Sequence, residues 1–438
     1  MPTLTVTRTM QPADYVTFGE LSQQGRHLLL DDSCAAALAA TGLVQVRPEG
    51  AGRWHLLPNG KVGAVRIDNL QVQVTPKDGV GLTRLLFLLG YAANPGFRPE
   101  DATAASEPDL WAAIAESLAR FAERATGRGV LQGYRTVEEA ARTVRGRIRI
   151  GDQIARRPGL SVPLEVTYDE FTTDIAENQI LRTAIRRMLG VPRLAGSVAA
   201  RLAHIDGRLA DVTLLRRAQP LPLWRPTRLN TAYQPALRLA EVILDNSSAE
   251  TGEGPVTVAA FVVTMAKVFE DFVGIALTEA LRPFPGTTRP QYPDHLDQPA
   301  FGDPPAIRLY PDVVHSLGGQ PRIIFDAKYK VAGPNDRYPN ADHYQMLAYC
   351  TALQVPTAWL VYAGGHHGGH LPRTRHVRNT GISIVEYPLD LSVEPHQLLA
   401  QVNDLADAAV RTCGLPNAAA ATNRGDELEM RTSRTSTI

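Results

Sequence analysis

Residues 312–330 constrain the fold of this chain more than any other segment. Two runs with the character of β-strands flank Leu317-Gly318-Gly319-Gln320, where glycine supplies the positive φ of a tight turn. Because side chains alternate along a strand, the second run has one charged face and one apolar face. The charged face carries Ile324, Asp326, Lys328 and Lys330, and the apolar face carries Ile323, Phe325, Ala327 and Tyr329. The segment therefore predicts a hairpin that packs one face on a core and brings Asp312 near Asp326.

Two carboxylates and one ammonium at a single point suit phosphodiester chemistry. Asp312 and Asp326 offer the oxygen ligands that Mg²⁺ prefers. Such a metal lowers the pKa of a bound water and polarises a phosphate oxygen. Lys328 can orient the water or neutralise phosphate charge. The alternative is an ordinary hairpin with a surface salt bridge, because Asp-x-Lys is a common tripeptide.

A helix predicted over 262–277 places a third acid upstream. Glu270 lies on a stripe of small and apolar residues at helical spacing, formed by Ala266, Val273, Gly274 and Leu277. An acid on such a stripe needs a partner, because a buried unpaired charge is costly. The partner is either a metal or a basic side chain such as Lys267.

A second helix is predicted over 343–353, downstream of the hairpin. Gln345 and Tyr349 lie one turn apart on it, and both can hydrogen-bond to phosphate or to a metal-bound water. The alternative is a half-exposed helix face without a role in chemistry.

Composition limits the class of protein. The chain has 438 residues, 44% hydrophobic and 21% charged, which is enough for two or three globular domains. Its 45 basic and 45 acidic residues balance, so no basic field covers the whole surface, although a local stripe could still contact nucleic acid.

The expected location is a reducing cytoplasm. Cys34, Cys350 and Cys413 are far apart and form no CxxC pair, which argues against a disulfide framework or a structural zinc site. The first residues lack the apolar core of a signal peptide. The longest mostly apolar run, 256–266, is too short for a bilayer, which needs about 18–20 residues, so no membrane partner is expected.

The pattern of elements divides the chain into four regions. Residues 1–95 look β-rich, and 67–74 partly alternates as a half-buried strand does. Residues 96–250 look α+β, with helices predicted over 178–189 and 198–215 and a strand over 145–150. Residues 255–412 form the α/β unit that carries the hairpin. Residues 416–438 have little to bury and are expected to be a disordered tail.

Three further clusters leave their roles open. Arginines 142, 145, 147, 149, 156 and 157 could contact phosphate or an acidic partner, or form a solvated face balanced by acids. The same choice applies to Arg201, Arg208, Arg216 and Arg217. His366, His367 and His370 lie in a glycine-rich stretch, where a flexible loop is favoured over a zinc or copper site.

The combined pattern resembles a known family. Glu270, Pro311-Asp312, Asp326-Ala327-Lys328 and Gln345-x-x-x-Tyr349, in this order, resemble the PD-(D/E)xK nuclease core with the Q-x-x-x-Y helix of its RecB-like branch. Finer details are similar to the McrC family, the nuclease subunits of McrBC-type 5-methylcytosine restriction systems. They are Val268-Phe269-Glu270, Tyr329-Lys330, Met346-Leu347-Ala348, Val144-Arg145-Gly146-Arg147-Ile148, Tyr168-Asp169-Glu170-Phe171, Glu177-Asn178-Gln179-Ile180-Leu181 and Thr75-Pro76-Lys77.

The resemblance implies a fold and a site. The fold class would be α/β, mixed α+β overall, with a mixed central sheet flanked by helices in a nuclease domain over 255–412. Asp312, Asp326 and Glu270 would hold Mg²⁺. Lys328 would position water or offset charge, and Gln345 and Tyr349 would shape the site.

The resemblance also implies partners. A hexameric McrB-like AAA+ GTPase would bind GTP and recognise modified DNA, while this chain would stimulate the GTPase and cut double-stranded DNA. Region 1–95 would dock on that partner. In agreement, the sequence lacks a G-x-x-x-x-G-K-[ST] loop, so the nucleotide must be bound by another subunit.

Two other functions remain open from sequence. One is a partner-independent RecB-like repair or defence nuclease, against which the roughly 250 residues before the nuclease core argue. The other is a scaffold and GTPase-activating subunit with a silent nuclease site, against which the intact acid–acid–lysine set argues.

Overall fold

A computed structural model describes most of the chain. The described residues are 14–77, 80–93, 95, 97, 109–159, 162–216, 219–251, 257–299, 304–330, 340–364 and 371–415. The predicted tail over 416–438, Arg217, and the three histidines at 366, 367 and 370 lie outside these residues.

The first part of the chain forms two small sheets with two helices. Its strands are β1 (Asp14–Gly19), β2 (Arg26–Leu29), β3 (Val44–Gly50), β4 (Arg53–Pro58), β5 (Val62–Ile67) and β6 (Leu70–Thr75), and its helices are α1 (Asp32–Thr41) and α2 (Leu82–Ala93). Strands β2, β4 and β3 form one sheet, and β1 runs parallel to β6 in the other.

The region 67–74 differs from the single half-buried strand that its alternation predicts. The chain reverses at Asp68, whose φ is 45°, and β6 then pairs back on β5. Both faces of β6 are buried. Gln71 and Gln73 tolerate burial because Arg66 donates to the Gln71 amide oxygen at 2.7 Å and the Tyr15 hydroxyl donates to that of Gln73 at 3.0 Å.

The middle of the chain combines helices with a largely exposed three-stranded sheet. Its strands are β7 (Gly133–Ala141), β8 (Arg147–Ile148) and β9 (Leu164–Thr172), and its helices are α3 (Leu110–Thr126), α4 (Ile150–Arg156), α5 (Ala176–Leu189), α6 (Gly196–Arg208) and α7 (Gln234–Asn246). The helix expected over 178–189 is confirmed as α5. The helix expected over 198–215 ends early, at Arg208, and the strand expected over 145–150 is limited to β8.

A hairpin next returns the chain to the first sheet. Strands β10 (Ser247–Thr251) and β11 (Thr257–Val263) extend that sheet to the order β1-β6-β5-β11-β10, with β11 antiparallel to β5. The boundary expected between 250 and 255 therefore falls inside a hairpin. The helix expected from 262 begins instead at Met265, because Val262 and Val263 still pair with β5.

The last part of the chain is a six-stranded mixed sheet flanked by helices. Its helices are α8 (Met265–Leu281), α9 (Asn340–Leu353) and α10 (Pro395–Thr412), and its strands are β12 (Thr287–Pro290), β13 (Asp294–His295), β14 (Arg308–Leu309), β15 (Val313–Leu317), β16 (Gln320–Lys328), β17 (Thr357–Gly364), β18 (Arg373–His376) and β19 (Ser383–Asp390). The sheet order is β12-β15-β16-β17-β19-β18, and β13 and β14 pair with each other in a separate two-stranded sheet. Strand β16 is antiparallel to β15 and parallel to β17, so the predicted mixed sheet and fold class are confirmed.

Alternating side chains of β16 pack into two separate cores. Ile323, Phe325 and Ala327 join the core that includes α8 and α10, and Tyr329 packs on its border. Ile324 lies in the other core, against α9. The predicted apolar face is therefore confirmed, and on the charged face Ile324 and Asp326 are buried as well, whereas Lys330 is exposed. No helix within the described ranges is long and apolar enough to cross a membrane.

Strand β11 lies so close to β5 that Gly63 leaves no room for a side chain. Its φ is +150°, and an added Cβ would lie 1.9 Å from the Phe261 carbonyl oxygen. We expect Gly63→Ala to lower the free energy of unfolding by at least about 3 kcal/mol, because overpacking and backbone strain add. Gly60→Ala is the control: φ there is +66° with open space around it, so a cost of about 1 kcal/mol is expected in denaturant titrations. Equal costs would contradict the close strand contact.

Candidate active site

The hairpin brings Asp312 and Asp326 together as predicted. Asp312 directly precedes β15, and its Oδ2 accepts a hydrogen bond of 2.7 Å from the Ala327 amide on β16. This bond crosses the β15–β16 ladder next to the Val313–Phe325 pair and places the Asp312 carboxylate beside the residue before Ala327. Both aspartates are buried, Asp312 with 9% of its surface exposed and Asp326 with 1%.

Lys328 supplies the positive charge of the site. Its ammonium forms an ion pair with Asp326 Oδ2, which accepts no well-oriented hydrogen bond from the described residues. Burial works against the Lys328 ammonium, but the charges of Asp326 and Asp312 outweigh it and raise the pKa of Lys328. The alternative interpretation placed this salt bridge on the surface, but the ion pair is buried.

Burial makes both aspartates weak acids, and the charge of Asp326 adds to the effect at Asp312. Burial first, and then the charge of Asp326, raises the pKa of Asp312 to about 7. Burial also raises the pKa of Asp326, although the Lys328 ammonium opposes this. Such shifts concentrate at functional sites, because structure alone gains little from two adjacent buried acids.

Glu270 has the salt bridge that one alternative predicted, and it also borders the aspartates. The Lys267 ammonium lies 3.3 Å from Glu270 Oε1. The side-chain amide of Gln291 donates to the same oxygen at 2.5 Å and to Asp312 Oδ1 at 3.2 Å. Gln291 therefore joins the two carboxylates, a role that the sequence did not predict.

The donor set fits a hard divalent cation at the two aspartates. Carboxylate oxygens suit Mg²⁺, and Asp326 Oδ2 is a buried acceptor with no aligned donor in the described part of the chain. Within those residues, however, no three Asp, Glu, His or Cys side chains converge as a ligand cluster. Glu270 is separate from the two aspartates and is connected to Asp312 through the Gln291 amide.

A cavity opens beside these groups. It has a volume of about 610 Å³ and is lined in part by Glu270, Gln291 and Asp312, together with Lys267 and Asp271 on α8. Solvent and ions can therefore approach Asp312 from the α8 side, although its carboxylate is mostly covered.

Helix α9 places Gln345 and Tyr349 next to the acids. Gln345 Nε2 donates to the Tyr349 hydroxyl at 2.6 Å, and that hydroxyl lies 3.4 Å from the Tyr310 carbonyl oxygen, to which it donates. Tyr349 is buried, which raises its pKa, and the charge of Asp326 raises it further. The half-exposed helix face proposed as an alternative therefore describes Gln345 but not Tyr349.

Two buried acids near α9 were not predicted. Asp342 accepts hydrogen bonds from the Lys330 ammonium at 2.6 Å and the Tyr362 hydroxyl at 3.2 Å. Glu386 on β19 lies 2.8 Å from His343 Nε2 and 2.9 Å from Arg375 Nε. Acids are common in the first turn of a helix and within strands. The sequence therefore did not indicate that these two would be buried and paired.

The arginine clusters separate into paired and exposed members. Arg149, Arg156 and Arg157 surround Glu165 at 3.1, 3.5 and 3.2 Å. Arg201 pairs with Glu116 and Glu123, and Arg208 donates to the Thr126 carbonyl oxygen at 2.7 Å, so both brace α6 against α3. Arg142, Arg145 and Arg147 are exposed around the short strand β8.

Comparison with known proteins assigns the family. Residues 57–363, well over half of the chain, match the model of the McrBC 5-methylcytosine restriction system component family. The chain belongs to this family. The predicted resemblance to the McrC family of McrBC systems is thereby confirmed, and no curated protein matches the chain.

One solved structure supports the fold of the chain. A chain of the refined half-complex from the tetradecameric assembly of Thermococcus gammatolerans McrB AAA+ hexamers with bound McrC is 17% identical, with a TM-score of 0.56 over 90% of this chain and 100% of that one. A chain of the Thermococcus gammatolerans McrBC complex is also 17% identical, over 61% of this chain and 88% of that one, with a TM-score of only 0.39. The TM-score of the first match supports the fold of this chain. The TM-score of the second match is too low to add support.

The raised pKa of Asp312 predicts how stability changes with pH. Between the ordinary value of 3.8 and about 7, the folded chain holds a proton that the unfolded chain has lost. The free energy of unfolding should therefore fall as pH rises through this window and level off above it. We expect Asp312→Asn to reduce that fall, as measured by denaturant titrations in EDTA at several pH values. Asp271→Asn, on the same cavity but exposed, should keep the wild-type slope, and an unchanged slope in Asp312→Asn would contradict the assignment.

Proposed function

We propose that this chain is the Mg²⁺-dependent DNA endonuclease subunit of a McrBC-type restriction complex. The observation that carries the proposal is the buried group formed by Asp312, Asp326 and Lys328 at the end of β16. Two acids and a lysine in one buried place are expensive for folding, and they match the needs of phosphodiester hydrolysis. Membership of the McrBC family supports the same reading.

Each residue would have a distinct role in cutting DNA. Asp312 and Asp326 would hold the metal, with Glu270 as a further acid beside them. A bound Mg²⁺ would supply a Lewis acid and lower the pKa of water. The Lys328 ammonium, fixed by Asp326, would orient the attacking water or offset charge that develops on the phosphate. Tyr349, held by Gln345, would close the α9 side and limit the rotation of bound groups.

The activity would depend on a partner. The matched Thermococcus structure contains McrB AAA+ hexamers with bound McrC. We propose that this chain likewise assembles with a hexameric McrB-like AAA+ GTPase, which binds GTP, and that it stimulates GTP hydrolysis. The substrate would be double-stranded DNA.

The cytoplasm is the expected compartment, since all three cysteines are free and two of them are buried.

Cleavage by the reconstituted complex tests the site. We expect Asp326→Asn and Lys328→Ala to lower the cutting rate by at least about 100-fold, because the first removes a ligand of the metal and the second removes the ammonium that acts on the water or the phosphate. Glu270→Gln should lower it less, and should weaken Mg²⁺ binding measured by calorimetry. Asp271→Asn is the matched control, one residue along α8 and paired only with Lys267 at 2.8 Å among the described residues. Normal cutting by Lys328→Ala would reject the site.

GTP hydrolysis by the partner separates this proposal from a silent scaffold and from a partner-independent nuclease. We expect Asp326→Asn to stimulate the partner GTPase as well as wild type while failing to cut, because the substitution is buried in the last sheet. Wild-type chain without the partner should cut slowly or not at all. Full cutting by the isolated chain would favour the partner-independent nuclease, and stimulation without any wild-type cutting would favour the scaffold.

A further inference from the structure

Among the described residues, the backbone of Lys328 is held by strand pairing on one side only. It is the last residue of β16, and its strand pairing ends with Tyr362 on β17. Past this point the described chain makes one tight turn, in which the Lys330 amide donates to the Lys328 carbonyl oxygen at 2.8 Å. The position of the ammonium therefore depends on how Tyr329 and Lys330 are held.

The two residues after Lys328 are anchored on opposite faces of the sheet. Lys330 binds Asp342 on α9 at 2.6 Å. Tyr329 points the other way, and its hydroxyl donates to Glu20 Oε2 at 3.1 Å. Glu20 directly follows β1, so this anchor comes from the first sheet, 309 residues earlier in the chain.

Lys77 completes the Tyr329 anchor. Its ammonium lies 4.1 Å from the centre of the Tyr329 ring and donates to the Ala363 carbonyl oxygen on β17 at 2.8 Å. Its amide nitrogen lies 3.3 Å from Glu20 Oε2, to which it donates. One side chain thus holds both the ring after Lys328 and the strand that pairs with Lys328.

The anchor also reaches the helix that carries Glu270. The Tyr329 ring packs on Phe269 with 6.1 Å between ring centres, and Phe269 directly precedes Glu270. Tyr329 therefore lies between the backbone of Lys328 and the backbone of Glu270. A shift of this ring would move both groups.

Glu20 and Lys77 are costly residues to keep at this place. Each has 8% of its surface exposed. Burial raises the pKa of Glu20, and burial lowers the pKa of Lys77 to about 8 against the opposing charge of Glu20. Two buried charged groups add little net stability compared with apolar residues, but their bonds fix one arrangement of the elements they join.

We propose that Glu20, Lys77 and Tyr329 are positioning residues for the proposed nuclease reaction: they hold Lys328 and Glu270 in register from the first sheet. The inference rests on the proposed function of Lys328 and assigns a role to the Thr75-Pro76-Lys77 segment. The three residues touch neither DNA nor metal in this role. They act through the backbone of β16 and through Phe269.

The test uses the full chain in complex with its AAA+ partner. Tyr329→Phe keeps the ring but loses the hydroxyl bond to Glu20, and Glu20→Ala loses the acceptor. We expect both to lower kcat for DNA cleavage by about tenfold with KM nearly unchanged, because small displacements of a catalytic group slow the chemical step. Glu20→Gln retains an acceptor for the hydroxyl and should restore most of the rate.

Tyr233→Phe is the matched control. Tyr233 is a buried tyrosine that directly precedes α7, and its hydroxyl accepts from the Leu131 amide at 2.9 Å. It should cut at the wild-type rate. Hydrogen exchange measured by mass spectrometry should show faster exchange at residues 326–330 in Tyr329→Phe and not in Tyr233→Phe.

The outcomes separate the inference from the proposed function. Cutting by Tyr329→Phe and Glu20→Ala at the wild-type kcat overturns the positioning role, and so does an equal loss in Tyr233→Phe. Lys328→Ala is assayed in parallel. If that variant cuts normally, or wild type does not cut, the proposed function fails, and hydrogen exchange at 326–330 alone then decides whether the anchor holds the strand end.

Discussion

The hydrogen bond from the Ala327 amide to the Asp312 carboxylate determines where every other group of the site lies. It locks the start of β15 against the end of β16 and holds one buried acid beside another. Two adjacent buried carboxylates repel each other and lose hydration, so the arrangement needs compensation. Lys328 supplies it from the same strand, and the Gln291 amide supplies it from the turn after β12. The cost of burying these charges supports the proposal that the site is chemical rather than structural.

The site is buried because β16 has a core on each side. Helices α8 and α10 cover the face of Phe325, and α9 covers the face of Ile324. Water therefore has little access to Asp326, and the Lys328 ammonium from the same strand balances its charge. The same enclosure makes Lys328 a better electrostatic partner for phosphate than an exposed lysine, because water screens its charge less.

Much of the site could be predicted from sequence, because its signals are local. Alternation in 323–329 gave the two faces of β16, and helical spacing gave Glu270 and the Gln345–Tyr349 pair. Other features depend on pairing between distant segments, which spacing does not encode. The expected strand at 67–74 turned at Asp68, where φ is positive. Helix α8 begins later than expected because Val262 and Val263 pair with β5. Gln291, with φ of 47°, joins Glu270 to Asp312 from a turn that no periodicity indicates.

Strand β11 has a consequence for how such a chain can be divided. It belongs to the first sheet, yet only Thr264 separates it from α8, the helix that carries Glu270. Strand β11 and helix α8 therefore follow each other almost directly, without a long linker between them. Exchange of modules between relatives at 250–255 would separate β10 from β11 and remove one of the two strands that pair with β5. The chain is therefore expected to be inherited as one block, with variation confined to its loops and to the exposed β7–β9 sheet.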